Sequence, residues 1–163
     1  MAERRMFAKT IVTSDEFLDM PATARCLYFT LGMFADDDGF VNSPKSVMRQ
    51  VGASNDDMNI LIAKKYLIVF GDGVLVIKHW RIHNYIRNDR YHETKYIGHK
   101  NTLFLDENRA YTTNINSAKY TIYGEDFDSG SQAVYQMDTQ DRVRLGKDRL
   151  DYNNGSRDNG CPF

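Results

Sequence analysis

Lys78, Arg81, Arg87 and Arg90 fall within one short run, KHWRIHNYIRNDRY, interleaved with Trp80, Tyr85 and Tyr91. Cationic side chains at that density can neutralise phosphates, the rings offer stacking surface, and the Asn84 amide adds a directional donor; this is the chemistry of a nucleic-acid contact. Residues 78–100 hold six cations against two acids, together with all four histidines, whereas the whole chain of 163 residues carries a formal charge of -1. Attraction to a polyanion would therefore rest on a local strip rather than on overall charge. The competing reading packs Trp80, Ile82 and Tyr85 onto helices and leaves the cations as an ordinary solvated face; the local charge excess favours the functional one.

Other chemistry finds less support. His79 and His83 stand four apart, as ligands on one helix face would, but they follow a strand pattern and no third or fourth ligand has metal spacing. Asp36, Asp37 and Asp38 before Gly39 suggest a cation loop or, with the His83-Asn84 pair, a nuclease cluster. The later ligands of a calcium loop are missing, and helix termination with a turn explains the acids better. There is no glycine-rich phosphate loop and no nucleophile in a recognisable setting, so the expectation is a non-enzyme without cofactor or metal.

The elements that must carry the strip are legible from periodicity. Ser14 can cap a short helix in SDEFLDM, with Phe17 and Leu18 as its apolar contact. Pro21 suits a first helical position, and Ala24, Leu27, Tyr28, Leu31 and Phe34 then share a helix face until ADDDGF stops it. Ser43-Pro44 starts a second helix containing Val47, Met48 and Val51, and Gly52 ends it. Ser54, with Asp57 three residues on, caps a third helix expected over 55–65, whose Met58, Leu61, Ile62 and Tyr66 face the core. YLIVF and VLVIKHW around GDG then read as a hairpin. Two helices joined by so few residues and followed by a hairpin predict an α+β fold: a winged helix-turn-helix with a three-helix core and a β-hairpin wing.

In such folds the third helix enters the major groove. Asn55, Asn59, Lys64 and Lys65 would remain on its outer face, where Asn can pair with adenine and Lys with guanine or phosphate. Asp56 and Asp57 count against base reading, although acids at a helix N-terminus also have a purely structural reason to be there. Lys45 and Arg49 on the second helix are further phosphate candidates. Past the hairpin, RIHNYIRNDRYHETKY fits either an extended arm or a short helix, and NTLFLDENRAYTTN has a second hairpin's pattern. From about residue 115 the chain is too polar to offset the entropy of ordering it. The expected organisation is residues 1–113 as the DNA-binding domain with its extension and 114–163 as a polar, disordered tail.

Cys26 and Cys161 make no disulfide framework, and no signal-peptide or membrane-spanning run is present, so the expected compartment is the reducing cytoplasm.

The segments MFAKTIVTSDEFLDMP, LYFTLGMFADDDGFV, VMRQVGAS and VIKHWRIHNYIRNDRY, in that order, resemble the N-terminal domain of phage replisome organiser proteins from Gram-positive bacteria. The likeness covers about residues 1–100, and VYQMDTQDRVRLGKDRLD in the tail also looks like a stretch of some relatives. The resemblance implies a winged-helix module, akin to the N-terminal part of DnaD-like primosome proteins, that binds origin DNA and helps recruit the replicative helicase. Longer relatives continue into a second helical domain, whereas this sequence runs out at NNGSRDNGCPF; contact with a helicase or helicase loader therefore transfers less well than DNA binding. A homo-oligomer fits the same reading. Two alternatives use the same fold: a phage-type transcriptional regulator and a protein-interaction adaptor.

Overall fold

Among residues 4–123, which the computed structural model describes, the chain forms seven α-helices and two small antiparallel sheets, an α+β arrangement. Helices α1 (Lys9–Val12) and α2 (Asp15–Leu18) are single turns, the first not anticipated from the sequence. The Ser14 hydroxyl accepts from the Phe17 amide, and Phe17 drops into the core while Leu18 stays exposed. Pro21 is the N-cap of α3 (Ala22–Phe34), which buries Ala24, Leu27, Tyr28 and Leu31. Phe34, expected on that face, is 53% exposed. The helix ends there, and Ala35 takes the buried position instead.

Strand β1 (Phe40–Val41) leads into α4 (Pro44–Val51) and α5 (Asn55–Ala63). Gly52, at φ 68°, reverses the chain after α4, and the Ala53 amide closes on the Met48 carbonyl at 2.9 Å, a Schellman termination. The capping box at Ser54 and Asp57 forms as the sequence requires, and Asp57 also accepts from the Thr23 hydroxyl at 2.6 Å. Hydrogen bonds from Thr23, then Ser54, hold its carboxyl below the usual aspartate range. Leu61 is buried and Met58 and Ile60 are half-buried, but Ile62 is exposed.

Helix α5 stops at Ala63, two residues short of the expected end. Lys65 adopts φ 60°, its amide donates to the Ile62 carbonyl and the Tyr66 amide to the Leu61 carbonyl, so that Tyr66 swings back into the core. A side chain in this left-handed position is strained where glycine is not. Lys65→Gly is therefore expected to raise stability by up to about 1 kcal/mol, measured as a higher urea midpoint at unchanged m.

Strands β2 (Leu67–Val69) and β3 (Leu75–Ile77) form the first hairpin, turned by Gly73 at φ 83° and by Asp72 accepting from the Val74 amide. The sheet order is β1-β3-β2, with Phe40 opposite Val76 and Leu67 opposite Ile77. Being central, β3 is buried along its length. The segment after it resolves into a short helix, α6 (Trp80–His83), then a loop and α7 (Ile97–Lys100). His79 caps α6 and His83 ends it, so the two histidines lie on helical rather than strand geometry.

The second hairpin is also present, as β4 (Phe104–Leu105) and β5 (Tyr111–Thr112). The fold does not end at 113: a 3₁₀ turn (Ile115–Ser117) leads to β6 (Tyr120–Thr121), which pairs with the free edge of β4. Tyr120, Thr121 and Ile122 break the polar run, and Tyr120 and Thr121 stand opposite Leu105 and Phe104 in the sheet. The stretch VYQMDTQDRVRLGKDRLD and the rest of the expected tail lie outside the described residues. No described helix is long and apolar enough to cross a membrane.

The ADDDGF turn does more than stop α3. Gly39, at φ 89°, lies so close to the Trp80 ring that a Cβ there would meet Trp80 Cγ at 2.5 Å. Around it, all three carboxylates point to partners far along the chain. Asp36 accepts from the Phe40 and Asp38 amides and the Thr94 hydroxyl; Asp37 takes both terminal nitrogens of Arg5 at 3.1 Å and the His92 amide. Asp38 accepts from the Tyr91 hydroxyl, the Thr94 amide and Lys100 Nζ at 3.2 Å. Burial raises the Asp36 carboxyl above its ordinary range despite those bonds. A run read as a turn is thus also a buried polar junction joining the N-terminal segment, α6 and α7.

Candidate nucleic-acid interface

The expected phosphate and base contacts divide into three groups. Lys45 and Arg49 stand exposed on α4, and Asn55 and Asn59 are exposed on α5. Asp57, counted against base reading, is turned inward onto Thr23, which leaves Asp56 as the exposed acid of that helix's first turn.

The second group is brought together by the fold. Lys64 and Lys65 follow α5, and Lys78 follows β3; the Lys78 amide donates to the Tyr66 carbonyl at 3.0 Å, so these positions, distant in sequence, meet. All three lysines line one hollow of about 310 Å³, into which α1 also contributes Thr10. The Lys64 ammonium donates to the Glu16 carbonyl at 3.2 Å. The Lys78 carbonyl accepts from the Tyr111 amide, which ties the same point to the second sheet.

The third group is the expected cationic strip, and here the fold spends several members internally. Asn84 accepts from the Met6 amide through Oδ1, while its Nδ2 is buried without a partner among the described residues; its first role is to hold the N-terminal segment. Arg81 is half-buried and hydrogen-bonded to the Tyr111 hydroxyl, which in turn donates to the Asp38 carbonyl at 3.0 Å. Arg87 is exposed and shares Asp89 at 3.3 Å, an ion pair weak enough at the surface to exchange for a phosphate. Arg90 and Lys95 are exposed, whereas Lys100 is buried between Asp38 and Glu93. The aromatic residues divide in the same way. Trp80 is buried, donates to the Asp37 carbonyl and carries the Arg5 guanidinium over its ring, and Tyr91 is bonded to Asp38; Tyr85, 92% exposed, is the member that offers a stacking face.

His83 is occupied on both ring nitrogens. Nδ1 accepts from the Ala8 amide at 2.9 Å, which leaves the proton on Nε2 to donate to the Tyr28 hydroxyl at 2.7 Å. Burial, with a smaller contribution from His79, lowers its pKa to about 4. The ring therefore joins the N-terminal segment to α3 and is not a free base or ligand. His79 is different: its Nδ1 is buried with no partner among the described residues, and burial, then the Lys78 charge, lowers its pKa to about 4.

Sequence reasoning missed the set formed by Arg5, Asp36 to Asp38, Thr94 and Lys100. The cue was present in three consecutive acids beside apolar residues, but their partners lie up to 62 positions away, beyond any local spacing rule. Compared with known proteins, the chain matches no family model, no curated protein and no solved structure.

Proposed function

We propose that this chain is a non-enzymatic DNA-binding protein of the replisome-organiser type, acting in phage or prophage replication initiation. In this reading α3, α4 and α5 with the β1-β3-β2 sheet are a winged helix-turn-helix, α5 enters the major groove, and the β2–β3 hairpin is the wing. The element order supports it: helix, strand, two helices joined by three residues, hairpin, with the first strand completing the sheet.

One observation carries the reading furthest. The exposed Asn55 and Asn59 of α5 are followed by Lys64 and Lys65, with Lys78 gathered at the same hollow, while the nearest buried acid, Asp57, is satisfied internally. Amides to meet base edges beside ammonium groups to hold phosphates make a coherent reading surface. Arg87, Arg90 and Tyr85, exposed beyond α6, are further phosphate and stacking candidates in this reading. A replicative helicase or helicase loader, and a second copy of the chain, are the partners this reading brings with it.

The test is a duplex titration at several salt concentrations. Each phosphate contact adds about 0.9 to the log-log salt slope, so replacing Lys64 and Lys78 together by Ala should flatten it by almost two. A slope left unchanged removes these lysines from the interface. Under the regulator alternative, Asn59→Ala relaxes base preference as well. The exposed apolar side chains Met33 and Phe34 at the end of α3 favour a protein-contact role on the same fold; failure to bind duplex or single strand at low salt would select it.

A further inference from the structure

The hollow bounded by α1, the end of α5 and the residues after β3 has features that groove recognition does not require. Its wall holds Lys64, Lys65, Lys78, His79, Thr10 and Ile11, with Glu16 as the one acidic side chain among its lining residues. Lys78, His79, Thr10 and Ile11 also line an adjoining hollow of about 390 Å³, whose acid, Asp106, is already engaged by the Asn108 and Ala110 amides. Three lysines lining one concavity bring more positive potential to it than the same charges spread on a convex face. Lys65 occupies its left-handed position at a conformational cost that glycine would avoid, and the side chain so retained lines the hollow. The ring of His79 keeps a buried nitrogen without a partner among the described residues.

We propose that this hollow is a phosphate-binding site, with Lys64, Lys65 and Lys78 as counter-charges and the Thr10 hydroxyl and His79 ring as its neutral polar groups. Asn55 and Asn59 are not among its lining residues, and the site deepens the DNA-binding reading, on which it rests only for the source of the phosphate. That source is either a DNA backbone or end, or a small phosphorylated molecule; the chemistry recognised is the same. A bound phosphate also favours the imidazolium form of the neighbouring histidine.

The experiment is a titration of the full chain with sodium pyrophosphate at constant ionic strength, followed through the histidine ring resonances by NMR. Saturable movement of His79, with the exposed His92 stationary, is expected, together with a rise of the His79 pKa from about 4 towards its ordinary value. Lys65→Gly relieves the strained backbone and so keeps the fold; it should weaken pyrophosphate roughly tenfold, in line with loss of one charge-assisted contact. A His79 response that is absent, that rises linearly without saturation, or that is indifferent to Lys65→Gly overturns the proposal. A duplex that competes with pyrophosphate at His79 assigns the site to DNA, and saturation without competition assigns it to a small phosphorylated ligand. Duplex binding with no pyrophosphate response sinks this site alone, whereas a pyrophosphate response with no duplex binding sinks the DNA reading alone.

Discussion

Lys100→Met is expected to cost about 3 to 5 kcal/mol of folding free energy, as removal of one partner from a buried ion pair does. The Lys100 and Asp38 side chains are 3% and 4% exposed, so neither charge has water to fall back on. The ammonium donates to Asp38 at 3.2 Å, to Glu93 at 2.9 Å and to the Tyr91 hydroxyl at 2.5 Å. Burial alone would lower the lysine's pKa, but the bonds to Tyr91 and Glu93 and the charge of Asp38 outweigh it and the net shift is upward. Burial likewise pushes the Tyr91 hydroxyl up to about 12, so it remains a neutral donor to Asp38. Removing the lysine leaves Asp38 a buried carboxylate held only by neutral donors. The double variant Asp38→Asn with Lys100→Met should recover part of the loss, because both charges then go together. Urea denaturation of the two single variants and the double measures the coupling; a Lys100→Met cost below 1 kcal/mol would mean that the junction is solvated.

That junction also marks where reading the sequence stops. Helices α3, α4 and α5 and both hairpins were legible because each is specified locally: Ser54 and Asp57 cap within one turn, Gly52 and Gly73 supply the positive φ that their turns need, and the apolar steps from Ala24 to Leu31 repeat at helical spacing. The last residues of elements were not, since Phe34 and Ile62 continue their periodic patterns but stand exposed, while Ala35 and Tyr66 take the core positions. Lys65 shows the same limit from the other side, because a lysine gives no hint of a left-handed backbone and the helix was read through it. The candidate strip was least legible. Charge counting could not see that Lys100 turns inward to Asp38, that Asn84 binds the Met6 amide, or that Trp80 is a core residue over Gly39. Conversely, nothing in the spacing of Lys64, Lys65 and Lys78 said that they share a hollow. That follows from the Lys78–Tyr66 backbone bond, a consequence of how β3 meets the end of α5.

Acidification from pH 6.5 to pH 4 is expected to remove several kcal/mol of stability through two histidines, before carboxylate protonation dominates. His79 and His83 both have folded pKa values lowered to about 4, in each case first by burial, with Lys78 adding to the effect at His79 and His79 at His83. In the unfolded chain both return to about 6.5. Between those limits the unfolded state binds protons that the folded state refuses, so stability is complete above the unfolded pKa and falls as pH drops towards the folded one. A shift of this size corresponds to about 3 kcal/mol for each ring. The rings lie 6.3 Å apart, so they titrate as a coupled pair and the sum is an upper bound. Asp57 and Asp72, whose carboxyls are held below their ordinary range by Thr23 and His99 respectively, lose their contributions at lower pH still. The cause is geometric at His83: adding a proton to Nδ1 breaks its bond from the Ala8 amide and sets two N–H groups against each other, in a pocket closed by Tyr28 and Phe7. His83→Asn keeps a polar group there but does not titrate. The slope of folding free energy against pH between 5 and 6 should then fall by about one proton, even though the smaller side chain also lowers absolute stability. Urea midpoints at half-unit pH steps measure that slope, and an unchanged slope in the variant would show that His83 accepts its proton without loss of the strap between the N-terminal segment and α3.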